Sequence, residues 1–144
     1  PKPDPKCVTR VNPKGFNDGL LYYDAKGPVG GVTQIFTTKR FYTLGQFSRY
    51  VRPGAVRHDV RGTPAGVRAM AFEAGARWTV VAWNEGKSDR TFAVELPNSA
   101  VAARSAVGTS ASAALSPVAL PGRTATGRWL VHLPARSIAT FQFR

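Results

Sequence analysis

The sequence predicts a mainly β protein: an antiparallel β-sandwich preceded by a loop and one α-helix. Three observations predict it. From Ala55 onward apolar and polar side chains alternate, as they do on strands with one buried face. Turn-forming residues break that alternation about every 8 to 12 residues, the spacing of a sandwich. Just upstream, Phe41, Leu44, Phe47 and Val51 recur at steps of three, three and four, which is one face of a helix.

Taken in order, residues 1–18 carry four prolines and few apolar side chains and read as irregular loop. "GLLYYD" is a short apolar run suited to a strand, and "AKGPVGG" breaks it. The helix is expected over Thr38 to Val51, ~21 Å long at the α-helical rise, with Thr37 or Thr38 as N-cap and "RPG" as its stop. "VRAMAFE" and "RWTVVAW" flank "EAGA", a connection whose Gly75 suits a hairpin. After "NEGKSDR" comes "TFAVEL", with Phe92, Val94 and Leu96 on one face and Thr91, Ala93 and Glu95 on the other. "SAVAARSAVGTSASA" reads as one irregular strand or two short ones. "RWLVHL" and "SIATFQF", separated by the turn "PARS", close the chain.

A hydrophobic content of 43% suits a globular core. The net charge of +12 raises a polyanion-binding domain as one reading, but the arginines are dispersed from Arg10 to Arg144 without a run of five or six like charges. That dispersion argues for a solvated basic surface and against nucleic acid as a partner. Cys7 is the sole cysteine, so with His58 and His132 no zinc ligand set can be assembled, and no metal or cofactor is expected. A disulfide from Cys7 to sequence outside this chain would imply a secreted parent. No apolar run approaches the ~18 residues needed to cross a bilayer, and the chain, which starts "PKPDPKCV" without an initial Met or a charged-then-apolar leader, reads as a mature or truncated piece.

The acids are Asp4, Asp18, Asp24, Asp59, Glu73, Glu85, Asp89 and Glu95. Asp18 and Asp24 bracket "GLLYY", which if extended holds them ~20 Å apart, too far for the paired carboxylates of a glycosidase. The others fall at strand ends, in turns or on polar faces. His58 precedes Asp59, but neighbours on a strand point to opposite faces, so a dyad is not expected. His132 should face outward. Of the three tryptophans, Trp78 and Trp129 share faces with core residues, whereas Trp83, at a strand end, is open between core packing and a sugar-stacking role.

"KRFYTLGQFSRYVRPGAVRHDV", "RAMAFEAGARWTVVAWNEGKSDRTFAVELP" and the ending "LPARSIATFQF" together resemble the C-terminal region of glycoside hydrolase family 30, over about residues 15–144. That family includes glucosylceramidase-like, xylanase and β-1,6-glycanase members. The resemblance implies that residues 1–54 are the last loop and helix of a (β/α)8 barrel and residues 55–144 a C-terminal β-sandwich. It implies a secreted, retaining hydrolase whose catalytic glutamates lie on earlier barrel strands and match no position here, so the chain alone is expected to be inactive. Its partners would be the catalytic barrel portion of the same protein and, through it, a polysaccharide or oligosaccharide substrate.

Barrel active sites sit at strand C-termini. The loop after the last strand would then border the cleft, making Asn17, Asp18, Tyr22 and Tyr23 the candidate substrate contacts; the alternative is an ordinary structural loop. "NPKGFNDGLLYYD" looks most like β-1,6-galactanase members, with xylan and β-glucan open. An autonomous carbohydrate-binding module is the alternative of a different class.

Overall fold

A computed structural model describes residues 19–23, 35–97 and 101–144. Strands Leu21–Tyr23 (β1) and Ile35–Thr37 (β2) pair antiparallel and lead into helix Lys39–Ser48 (α1). The β region follows: Val56–Asp59 (β3), Val67–Ala74 (β4), Arg77–Asn84 (β5), Arg90–Val94 (β6), Ala103–Thr109 (β7), Ser116–Pro117 (β8), Gly122–Arg123 (β9), Trp129–Leu133 (β10) and Ser137–Phe143 (β11). Six strands form one sheet in the order β3-β4-β5-β11-β7-β8, and three form another in the order β6-β10-β9. All pairings are antiparallel.

The two sheets face each other over one core. Trp78, Val80 and Ala82 of β5 and Ala139, Phe141 and Phe143 of β11 meet Val94 of β6 and Trp129, Val131 and Leu133 of β10. Burial of each large apolar side chain contributes roughly 1.5–3 kcal/mol, so this layer carries most of the stability. The expected β4–β5 hairpin is present. Ala74 pairs with Arg77, and Gly75, first of the two turn residues, has a φ of 58°, which glycine adopts without the steric cost of a Cβ.

β6 does not extend the sheet of β5 but pairs with β10, so residues 85–89 carry the chain from one sheet to the other. Asn84 anchors that crossing. Its buried amide nitrogen lies 2.8 Å from the Ser88 carbonyl and 3.1 Å from that of Pro134, while its oxygen accepts from the Gly86 N–H at 2.9 Å.

Helix α1 lies on the outer face of the six-stranded sheet, over β7 and β11, and its expected length is corrected. The helix is shorter than Thr38 to Val51. The N–H groups of Tyr50 and Val51 both converge on the Phe47 carbonyl, at 3.1 and 2.8 Å, which tightens the last turn ahead of Pro53. Thr38 holds the N-cap position with extended backbone, but its hydroxyl makes no capping bond; it reaches the Leu20 carbonyl at 3.0 Å and ties the helix start to β1. The apolar stripe is split by its surroundings, and the fully buried residue of the helix is Gln46, while Phe41 and Leu44 are exposed. Phe47 does reach the sheet, edge-on to Phe72 and Trp83 with ring centroids 6.5 and 6.4 Å away.

With the core on one side and α1 on the other, the middle of the sheet is covered twice. Trp78 to Ala82 and Ser137 to Phe141 are therefore buried without alternation, as strands enclosed on both faces are.

Candidate functional site

Three places bring chemistry-bearing residues together. The first is the β1–β2 pair at the head of α1. Tyr22 is half-buried and its hydroxyl accepts from the Gly19 N–H at 3.2 Å. Its ring lies so close that a Cβ on Gly19 would stand 3.0 Å from the ring carbon bearing the hydroxyl. Tyr23 is placed on β1 opposite Ile35. Asn17 and Asp18 lie outside the described residues. Beside this pair, Tyr42 bonds the Thr37 hydroxyl at 2.9 Å, and Leu20, Leu21, Ile35, Phe41 and Leu44 are exposed apolar side chains of the pair and of the outer face of α1.

The second is a cleft of about 440 Å³ between the sheets, floored by Trp78 and Phe92 and rimmed by His58, Arg61, Glu95 and Arg128. His58 leans on Trp78 with ring centroids 4.8 Å apart, and its Nε2 sits 3.0 Å from Glu73 Oε2 without the alignment of a good hydrogen bond. Asp59 turns the other way, to Arg57 at 3.2 Å. The expectation that His58 and Asp59 form no dyad therefore holds, for the reason given: they occupy opposite faces of β3.

The third is a groove of about 520 Å³ between α1, along Lys39, Thr43 and Phe47, and the sheet end where β5 and β7 finish and β11 begins. Lys39, Phe47, Trp83, Ser110, Arg136 and Ile138 line it. Trp83 is half-buried on the outer face of β5 and donates its indole N–H to Glu85 Oε1 at 3.2 Å. Trp78 and Trp129, by contrast, are core, at 4% and 8% exposure. Lys39 donates to the Ala113 carbonyl at 2.9 Å.

Every described carboxylate faces a basic group. Besides Glu73 and Asp59, Glu85 meets Arg68 at 3.3 Å, Glu95 meets Arg128 at 3.2 Å, and Asp89 meets His132 at 3.6 Å and accepts from the Ala135 N–H at 2.9 Å. These groups are largely exposed, and such ion pairs contribute little to stability. The arrangement uses the described acids to pin strands and turns. Sequence reasoning missed Arg136 and Gln46; the only signal for either was an ordinary polar residue in a turn or helix, and their placement depends on the sheet they meet.

The fold is that of a β-rich accessory domain of a glycoside hydrolase, and the likeness extends to sequence. No protein-family model matches the chain. Glucuronoxylanase XynC of Bacillus subtilis (strain 168) is 33% identical over 105 residues, which is 72% of this chain and 25% of that protein. The crystal structure of a GH30 endoxylanase from Clostridium papyrosolvens C71 matches with a TM-score of 0.67 and 31% identity, over 74% of this chain and 28% of that one. A glycoside hydrolase family 30 subfamily 8 xylanase from Clostridium acetobutylicum matches with a TM-score of 0.68 and 28% identity, over 75% and 28%.

The particular relationship is therefore homology to family 30 xylanases, which supports the C-terminal-region reading of the sequence. The chain spans about a quarter of the length of the curated relatives it matches. Xylanase is the activity these relatives are named for; the β-1,6-galactanase likeness read from "NPKGFNDGLLYYD" finds no support among them.

Proposed function

We propose that the chain is the C-terminal part of a secreted, retaining family 30 glycoside hydrolase acting on a xylan-type polysaccharide. In this reading residues 1–54 are the last loop and helix of its (β/α)8 barrel and residues 55–144 the sandwich that braces it. One observation carries the reading beyond homology. α1 meets the sheet through Gln46 and Phe47, while Phe41 and Leu44, together with Leu20, Leu21 and Ile35, stay exposed. Neighbouring apolar side chains on one side of a helix and its adjoining strands mark a contact surface, and the remaining three quarters of a relative-sized protein supplies an occupant.

Catalysis belongs to the barrel portion. This chain contributes rigidity and, through the loop of Asn17, Asp18, Tyr22 and Tyr23, an edge of the substrate cleft. β-1,6-Galactan is a second reading, favoured by the sequence of "NPKGFNDGLLYYD" alone.

The test is expression of the protein encoded by the complete reading frame, assayed on xylan, β-1,6-galactan and β-glucan beside the 144-residue chain. Xylan hydrolysis by the long product and none by the short one is expected. Turnover by the short chain that is lost on substituting one of its own acids would defeat the proposal.

A further inference from the structure

The groove between α1 and the sheet combines features that its role in packing does not require. Trp83, Phe47 and Ile138 give it an apolar floor of the kind that a pyranose ring covers with its C–H face. Lys39 and Arg136 line it and no carboxylate does.

Arg136 occupies the left-handed region, at a φ of 49°, where a side chain costs energy that glycine would not. The turn is held there by the Arg136 N–H bonded to the Gly86 carbonyl at 3.1 Å and by the Ala135 N–H bonded to Asp89 at 2.9 Å. Its guanidinium makes no ion pair or hydrogen bond among the described residues. A strained, cationic, unpaired side chain beside an aromatic floor is organised for an anionic ligand. A guanidinium binds a carboxylate through two parallel hydrogen bonds.

We propose that this groove is a secondary binding site for the uronic-acid-bearing part of a polysaccharide, with a sugar ring against Trp83 and its carboxylate on Arg136. The groove runs along α1 from Lys39 in its first turn to Phe47 in its last. The identity of the polymer rests on the glycoside hydrolase reading of the proposed function; the binding chemistry does not.

The test titrates the 144-residue chain with a glucuronic-acid-branched xylo-oligosaccharide and with the same compound after reduction of its carboxyl group, read by tryptophan fluorescence. Trp83, the one tryptophan not buried in the core, reports the groove. We expect the charged compound to bind about tenfold tighter than the reduced one, in keeping with a charge-assisted contact. Arg136→Gly should lose about tenfold in affinity for the charged compound while its thermal midpoint holds or rises, because glycine relieves the positive φ.

Equal binding of the two compounds, wild-type affinity in Arg136→Gly, or no binding at all overturns the site. So does displacement by heparin or duplex DNA in proportion to their charge, which would assign the binding to the dispersed basic surface. Xylan hydrolysis by the long product, measured separately, decides the enzyme reading and is untouched by these outcomes.

Discussion

On its inner face the six-stranded sheet meets the three-stranded sheet through Val80, Phe141, Phe143, Val131 and Leu133, a dry contact between side chains at most 1% exposed. On its outer face it meets a single helix, and the centre of that contact is polar. The Gln46 amide nitrogen donates to Thr109 Oγ1 at 2.9 Å, and the Thr140 hydroxyl lies 2.6 Å from Gln46 Oε1 and 3.0 Å from the Gln46 carbonyl. Thr109 Oγ1 also accepts from the Leu115 N–H at 3.1 Å, and Gly45 approaches so closely that a Cβ there would stand 2.7 Å from Leu115 Cδ1.

The difference is between holding and positioning. Apolar burial scales with area and tolerates small slides, so it holds layers together without fixing their register. A buried amide between two hydroxyls has one satisfactory arrangement, and any rotation of the helix leaves polar groups unpaired in a low dielectric. The outer contact therefore sets where α1 lies and, with it, where Phe41 and Leu44 point.

The contrast can be broken at its strongest point first. Phe141→Ala removes a ring from the inner contact and should cost about 3–5 kcal/mol by urea denaturation, enough to leave the variant largely unfolded at 37 °C; a loss under about 1 kcal/mol would mean that the core is not where the stability lies. Gln46→Ala should cost somewhat less, on the order of 2 to 4 kcal/mol, because it leaves the Thr109 and Thr140 hydroxyls short of partners. Paired with Thr140→Val it should be non-additive by about 0.5–3 kcal/mol, the signature of a shared network, whereas simple addition would make Gln46 a space-filler.

Hydrogen exchange sharpens the same comparison without mutation. Amides of β5 and β11 should exchange slowest. Those of α1 should be intermediate and independent of protein concentration, because the helix is docked within the chain. Protection of α1 that grows with concentration would mean instead that contacts between copies hold it. The smallest effect is expected outside both contacts: Leu44→Glu, on the exposed side of α1, should change the stability of this chain by no more than about 0.5 kcal/mol. In the longer protein the same change should lower stability measurably if that surface is covered by the barrel; equal behaviour in both would remove the contact surface from the proposed function.

Much of this was legible beforehand. Alternation placed Val94 and Leu96 inward and Glu95 outward, Gly75 marked a hairpin connection, and Trp129, Val131 and Leu133 announced one face of β10, because each of these signals is local to a single element or turn. The helix was legible as a helix, yet its buried face was not. The stripe Phe41, Leu44, Phe47 and Val51 is what a hydrophobicity argument selects, and it is blind to a buried glutamine whose partners lie 63 and 94 residues away. Among the candidate site residues, Trp83 was singled out from its strand-end position, while the groove it floors needs α1, β7 and β11 brought to one place.

By itself, then, the sequence determined the longer strands and the existence of the helix, which faces of those strands are apolar and where the β4–β5 hairpin turns, since these follow from backbone sterics and side-chain period within a few residues; the short strands β2, β3, β8 and β9 carry too few residues to show a period. Only the tertiary structure decided that β6 leaves its neighbour for another sheet, that His58 turns to Glu73 and Asp59 to Arg57, that α1 docks through Gln46, and that Arg136 lines one groove with Trp83 without a side-chain partner among the described residues. Those outcomes depend on which distant groups can satisfy one another once buried, a condition set by the cost of an unpaired polar atom and not by any local pattern.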